Sequence, residues 1–173
     1  DVDGASLIAE IESNGTVNAT LVDTTINNFM LDGDLVNTII AHEYGHGISN
    51  RLTGGASNTN CLSNDEQMGE GWSDWFALML TIEPGDLPTE NRGIGTYIKG
   101  EPITGQGIRP APYNTDFASN AFTYTHTNDT VSISKPHGIG FVWCTMLWDM
   151  TWALIDKYGY DVDLYHGSGG NNI

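Results

Sequence analysis

Two histidines four residues apart with a glutamate between them, His42-Glu43-Tyr44-Gly45-His46, constrain this chain more than any other feature. On an α-helix that spacing turns both imidazoles to one side, where they can share one zinc ion, and holds Glu43 beside them as a base. A second phrase, Glu70-Gly71-Trp72-Ser73-Asp74, begins 24 residues after His46 and offers a carboxylate ligand with another carboxylate one turn on. The chain must therefore fold so that two helices bring these groups together.

Zinc in a hydrolase takes three protein ligands and keeps one position open for water, and His42, His46 and Glu70 supply such a set. Glu43 is then expected to accept the proton of that water and to deliver it to a leaving amine. Asp74 is expected to accept a hydrogen bond from the outer ring nitrogen of His42 or His46 and so fix the ring. His137 is the candidate donor to an oxyanion, and Arg109 the candidate to hold a substrate backbone carbonyl. A longer zinc motif would need glycine and histidine where this chain has Ser49 and Leu52, so the third ligand reads as a glutamate.

The spacing predicts a helix from about Asp34, as its cap, to about Leu52, and a second from about Gln67 to Ile82 with Pro84 beyond it. A third is predicted from the apolar run Ile139 to Ile155, opened by Pro136 and stopped by Gly159. Asp149 interrupts that run, which reads as a core helix carrying Trp143, Trp148 and Trp152, not as a membrane span. Residues 1 to 31 read as extended or irregular, and residues 83 to 135 as long loops with one short helix or hairpin. The expected class is mainly α, with residues 32 to 173 forming the helical catalytic domain.

The 22 Asp and Glu against 6 Lys and Arg give a net charge of -16, which repels nucleic acid and anionic membranes. Scarce lysine with abundant Gly, Asn, Thr and Ser points to export. Cys61 and Cys144 are able to pair or to remain free thiols. Two acidic fragments, Asp1-Val2-Asp3-Gly4 and Asp161-Val162-Asp163, leave calcium open as a second ion, although neither continues as an EF-hand. The alternative to an enzyme is a secreted non-catalytic module with a structural zinc or calcium site; a closed zinc site would need a fourth ligand such as His126 or His166.

A wider set of phrases carries a resemblance: Asp32-Gly33-Asp34, His42 to Gly47, Arg51-Leu52-Thr53-Gly54-Gly55, Met68 to Asp74, and His137-Gly138-Ile139-Gly140-Phe141-Val142-Trp143. From about Asp32 onward the sequence resembles the fungalysin family of extracellular zinc metallopeptidases, whose catalytic layout is similar to that of thermolysin. The resemblance implies zinc on His42, His46 and Glu70, general-base work by Glu43, an oxyanion-steadying role for His137, and endopeptidase action on polypeptide substrates. Residues 1 to 31 do not resemble the sheet that precedes the zinc helix in such enzymes, and a member would continue past Asn172. The chain is therefore expected to be the helical part of a larger precursor, with the remainder of that precursor as a partner.

Overall fold

A computed structural model describes residues 5–11, 17–23, 31–66, 68–129, 131–163 and 166–167, of which the first two segments are described as backbone alone. The chain divides into two compact units, residues 1–30 and 31–173. In the first, strands β1 (Ala5–Ile11) and β2 (Val17–Asp23) form an antiparallel hairpin in which Leu7 pairs with Leu21 and Ile11 with Val17. The Asp1-Val2-Asp3-Gly4 fragment lies outside the described residues.

The second unit is helical: α1 (Asn37–Gly54), α2 (Met68–Leu80) and α3 (His137–Tyr158). The first helix starts later than expected from Asp34. That residue belongs to a short 3-10 turn, Gly33–Leu35, where the Asp32 side chain accepts from the Asp34 amide, and α1 begins after Val36 with no side-chain cap. At the other end Gly55, with φ of 75°, takes a positive-φ conformation open chiefly to glycine, and its amide closes on the Arg51 carbonyl.

Helix α2 packs against both α1 and α3, and its composition permits this: Gly69, Gly71, Ser73, Asp74, Ala77 and Leu78 are its buried residues. A Cβ on Gly45 of α1 would stand 2.9 Å from the Ser73 Cα, so the α1–α2 approach is backbone-close. The α2–α3 crossing is tighter still. A Cβ on Gly71 would stand 2.7 Å from the Gly140 carbonyl oxygen, and one on Gly140 would stand 2.3 Å from the Glu70 Cβ. Beyond the crossing, Leu78, Ile82, Ile94, Tyr113, Phe141, Val142 and Trp148 form the core, and Trp75 Nε1 donates to Thr151 Oγ1 at 2.8 Å. Both cysteines are free thiols, Cys144 buried in this core and Cys61 half-buried.

With 22 residues, α3 is long and apolar enough by length and composition to cross a membrane, as core helices of folded domains also can be. Half of its apolar span is nevertheless buried inside the protein, as befits a helix that packs on α2 and gives Phe141, Val142, Cys144 and Trp148 to the core.

The long connection between α2 and α3 contains two 3-10 turns, Tyr97–Lys99 and Tyr124–Asn128. Arg92 anchors it, donating to the Asp86 carboxylate at 2.6 Å and to the Thr81 carbonyl at 2.8 Å. From there Arg92 pairs with Tyr113 through two backbone hydrogen bonds, and Ile94 bridges Gly107. Gly107 is obligatory at that bridge: its φ is 71° and a Cβ would meet the Ile94 carbonyl oxygen at 2.0 Å. These pairings carry Arg109 and Tyr113 beneath α2.

Candidate metal centre

His42 and His46 stand one turn apart on α1 with their rings perpendicular and centroids 4.7 Å apart. The α1–α2 contact at Gly45 sets Glu70 opposite them. His42 Nε2 lies 3.4 Å from Glu70 Oε2 and His46 Nε2 lies 3.7 Å from Glu70 Oε1, so both imidazoles aim the same ring nitrogen at one carboxylate. One ligand atom from each of His42, His46 and Glu70 falls within 4.8 Å of the others. It is the one group of three or more possible ligands found among the described residues.

Two observations test whether the cluster fits a cation. Glu70 Oε2 is buried yet makes no hydrogen bond of ordinary geometry, which a carboxylate oxygen does not tolerate unless something positive sits beside it. Burial by itself drives the His42 pKa down, but the Asp74 and Glu70 carboxylates outweigh it and hold the imidazole at about 9. The site thus favours positive charge where Nε2 points, and a divalent metal fits by replacing that proton.

Burial likewise raises the Glu70 carboxyl, and the surrounding imidazoles of His42, His137 and His46 bring it below the ordinary value. Unlike His42, His46 is lowered, by burial first and then by the charge of His42, so this ring is prepared as a neutral ligand.

Behind His42 lies Asp74, fully buried on α2. Its Oδ1 accepts from His42 Nδ1 at 2.6 Å and from Arg109 Nη2 at 2.7 Å; its Oδ2 accepts from Arg109 Nε at 2.7 Å and from the Tyr113 hydroxyl. Burial opposes the ionised form, but Arg109 and His42 more than compensate and bring the carboxyl to about 2. With Nδ1 bound to Asp74, His42 presents Nε2 to the site.

The other expected residues are distributed as follows. Glu43 is exposed on α1 between the two histidines and makes no hydrogen bond or ion pair among the described residues. His137, at the first residue of α3 and half-exposed, has its Nε2 3.7 Å from Glu70 Oε2. Arg109 is buried, with two of its nitrogens spent on Asp74. His126 instead caps its own 3-10 turn, accepting from the Thr123 amide at 3.0 Å, and His166 lies 3.1 Å from Asp163 Oδ2, so neither joins the cluster as a fourth ligand. Tyr113 was absent from the sequence expectations. It sits 39 residues from Asp74 in a Pro-rich loop, where no periodicity marks it.

Two imidazoles and a carboxylate aimed at one point, with a glutamate between the two histidines, make a ligand set of the kind that metal-dependent peptidases use. The fungalysin metallopeptidase (M36) profile matches residues 10–173, and the chain belongs to that family. It is 44% identical over 130 residues to extracellular metalloproteinase MEP of Neosartorya fischeri, an alignment covering 74% of this chain. It is 45% identical over 132 residues to extracellular metalloproteinase 2 of Arthroderma gypseum, again over 74% of this chain. With extracellular metalloproteinase MEP of Pyricularia oryzae it shares 43% over 136 residues and 78% of its length. The aligned part spans 20% of each of these relatives.

Proposed function

We propose that this chain is the zinc-binding helical part of a secreted endopeptidase that hydrolyses internal peptide bonds of proteins. The observation that carries the reading is the convergence of His42 Nε2, His46 Nε2 and the buried Glu70 carboxylate, whose Oε2 makes no hydrogen bond, with Glu43 on the helix that carries both histidines. Zinc held by His42, His46 and Glu70 would polarise an attacking water and the carbonyl of the scissile bond.

The protein's own groups do the rest. Glu43, free on its helix, takes the proton of the attacking water on its carboxylate and passes it to the nitrogen of the leaving amine. His137 Nε2 donates to the oxygen on which negative charge develops, supported by its place at the rim of the cluster. Asp74 keeps the His42 ring oriented. Arg109 serves first as the clamp on Asp74 through Nε and Nη2, which leaves Nη1 as the donor for a substrate carbonyl.

Secretion is inferred from the extracellular relatives, together with the acidic, lysine-poor composition. Domain organisation is read as residues 32 to 173 acting with the remainder of a longer precursor, since the relatives exceed this chain several-fold in length. Asp161-Val162-Asp163 joins no group of three or more His, Cys, Asp or Glu ligands among the described residues, and calcium stays a second ion open to metal analysis.

Zinc analysis together with casein cleavage on wild type and Glu43→Gln tests the reading. Loss of cleavage with one zinc retained per chain is expected; unchanged cleavage by Glu43→Gln refutes the assigned base.

A further inference from the structure

We propose that Tyr113 is a positioning residue for the metal centre, acting through Asp74 on His42; this rests on the zinc reading above. Asp74 can hold the His42 ring only while Oδ1 faces Nδ1, and in a buried carboxylate nothing but its hydrogen-bond donors fixes that orientation. Arg109 spans both oxygens, and its Nη2 shares Oδ1 with His42, so the guanidinium alone leaves Oδ2 one donor short of Oδ1. The Tyr113 hydroxyl binds Oδ2, the oxygen turned away from His42. Each oxygen thereby accepts from two donors, and rotation of the carboxylate breaks bonds at both.

The Tyr113 hydroxyl is placed by the core and not by the site. Its ring is fully buried, 5.1 Å from the Phe141 ring, and its backbone is bonded in both directions to Arg92, at 2.8 and 3.0 Å. Burial, and then the charge of Asp74, push its phenol well above the ordinary value, so the group stays a donor throughout the working pH range. Removing the hydroxyl leaves Oδ2 with Arg109 Nε alone, and a desolvated lone pair unmet. The carboxylate then turns further into Arg109, at the expense of the His42 bond. Tyr113 touches neither metal nor substrate, and its effect reaches them only through the ring that Asp74 orients.

Tyr113→Phe keeps the ring and the core and deletes only the hydroxyl. Zinc affinity is read by competition with a chromogenic chelator, and the geometry at His42 by the visible bands of the cobalt(II)-substituted protein. Expected are a zinc dissociation constant raised about 10-fold or more, shifted cobalt bands, and a lower kcat with KM unchanged. A fall in melting temperature alone, with zinc affinity and cobalt bands at wild-type values, overturns the proposal and leaves Tyr113 a packing residue. Should Tyr113→Phe fail to fold, 3-fluorotyrosine at position 113 keeps ring and hydroxyl while strengthening the donor; shifted cobalt bands support the proposal and identical bands overturn it. A folded wild type that takes up no zinc sinks the zinc reading and this inference together, whereas a zinc-loaded wild type matched by Tyr113→Phe sinks this inference alone.

Discussion

Gly140→Ala adds one methyl group where α3 crosses α2, and the structure states what it meets: Glu70 Cβ at 2.3 Å, the Gly71 amide nitrogen at 2.9 Å and the Glu70 carbonyl carbon at 3.0 Å. Carbon atoms in contact prefer separations of roughly 3.5–4.0 Å, so the helices must part by about 1.5 Å at this point. Two of the three neighbours are backbone atoms, which cannot swing aside. Overpacking costs about 1–3 kcal/mol, here at the upper end, and the gain from replacing a helical glycine by alanine returns about 1 kcal/mol. The net is about 2 kcal/mol, or roughly 4–8 °C in melting temperature for a domain of this size. Because the displaced neighbour is Glu70 itself, zinc content should fall with it. Gly47→Ala on α1 is the matched control: a Cβ there meets nothing within 4 Å. It should raise stability by about 0.5–1 kcal/mol. Thermal melts of both zinc-loaded variants decide the matter. If Gly140→Ala melts at or above wild type with its zinc retained, the close helix crossing does not position Glu70.

Other perturbations act on the groups behind His42. The folded Asp74 carboxyl, at about 2, lies below its unfolded value of ~3.9, so its stabilisation is present above pH ~3.9 and is lost as pH falls through 2. Melts of the metal-free protein should therefore show wild type losing about 2 kcal/mol or slightly less of its advantage over Asp74→Asn between pH 4 and pH 2, with the remainder lost below pH 2; a constant difference refutes the pairing. His42 has the opposite sign: its folded value of about 9 exceeds the reference of 6.5, so in the metal-free protein its contribution is full below pH 6.5 and disappears as pH rises through 9. His42→Gln should flatten that alkaline limb, and an unchanged limb contradicts the assignment. Arg109→Lys keeps the charge but not the two-pronged contact with Asp74, and should cost about 2 kcal/mol or more in urea unfolding; a cost below about 0.5 kcal/mol would show the clamp to be dispensable.

What was legible in the sequence was the chemistry that helical spacing brings together. His42 with His46 and Glu70 with Asp74 each lie one turn apart, so their shared faces follow from local geometry alone. The start of α1 was less legible, because its buried positions are His42, Gly45 and Ser49 and no apolar stripe outlines the helix. Asp34 looked like a cap because the residue that does accept a bond, Asp32, serves a 3-10 turn of the same composition. Arg109 and Tyr113 were illegible in their true setting. Their approach to Asp74 depends on Arg92 gripping the end of α2 and on the bridges at Tyr113 and Gly107, contacts between loop residues that no periodicity announces. The glycines of the α2–α3 crossing were visible as letters, yet which backbone each one admits is a property of the packed pair.

The claim on which the rest depends is that one metal ion joins α1 to α2 through two imidazoles and a carboxylate. X-ray absorption at the zinc edge of the purified protein reads this directly. Two histidine nitrogens with oxygen donors at roughly 2.0–2.2 Å are expected, with one imidazole lost in His46→Ala. A sulfur donor, a third imidazole, or a spectrum that His46→Ala leaves unchanged would contradict it.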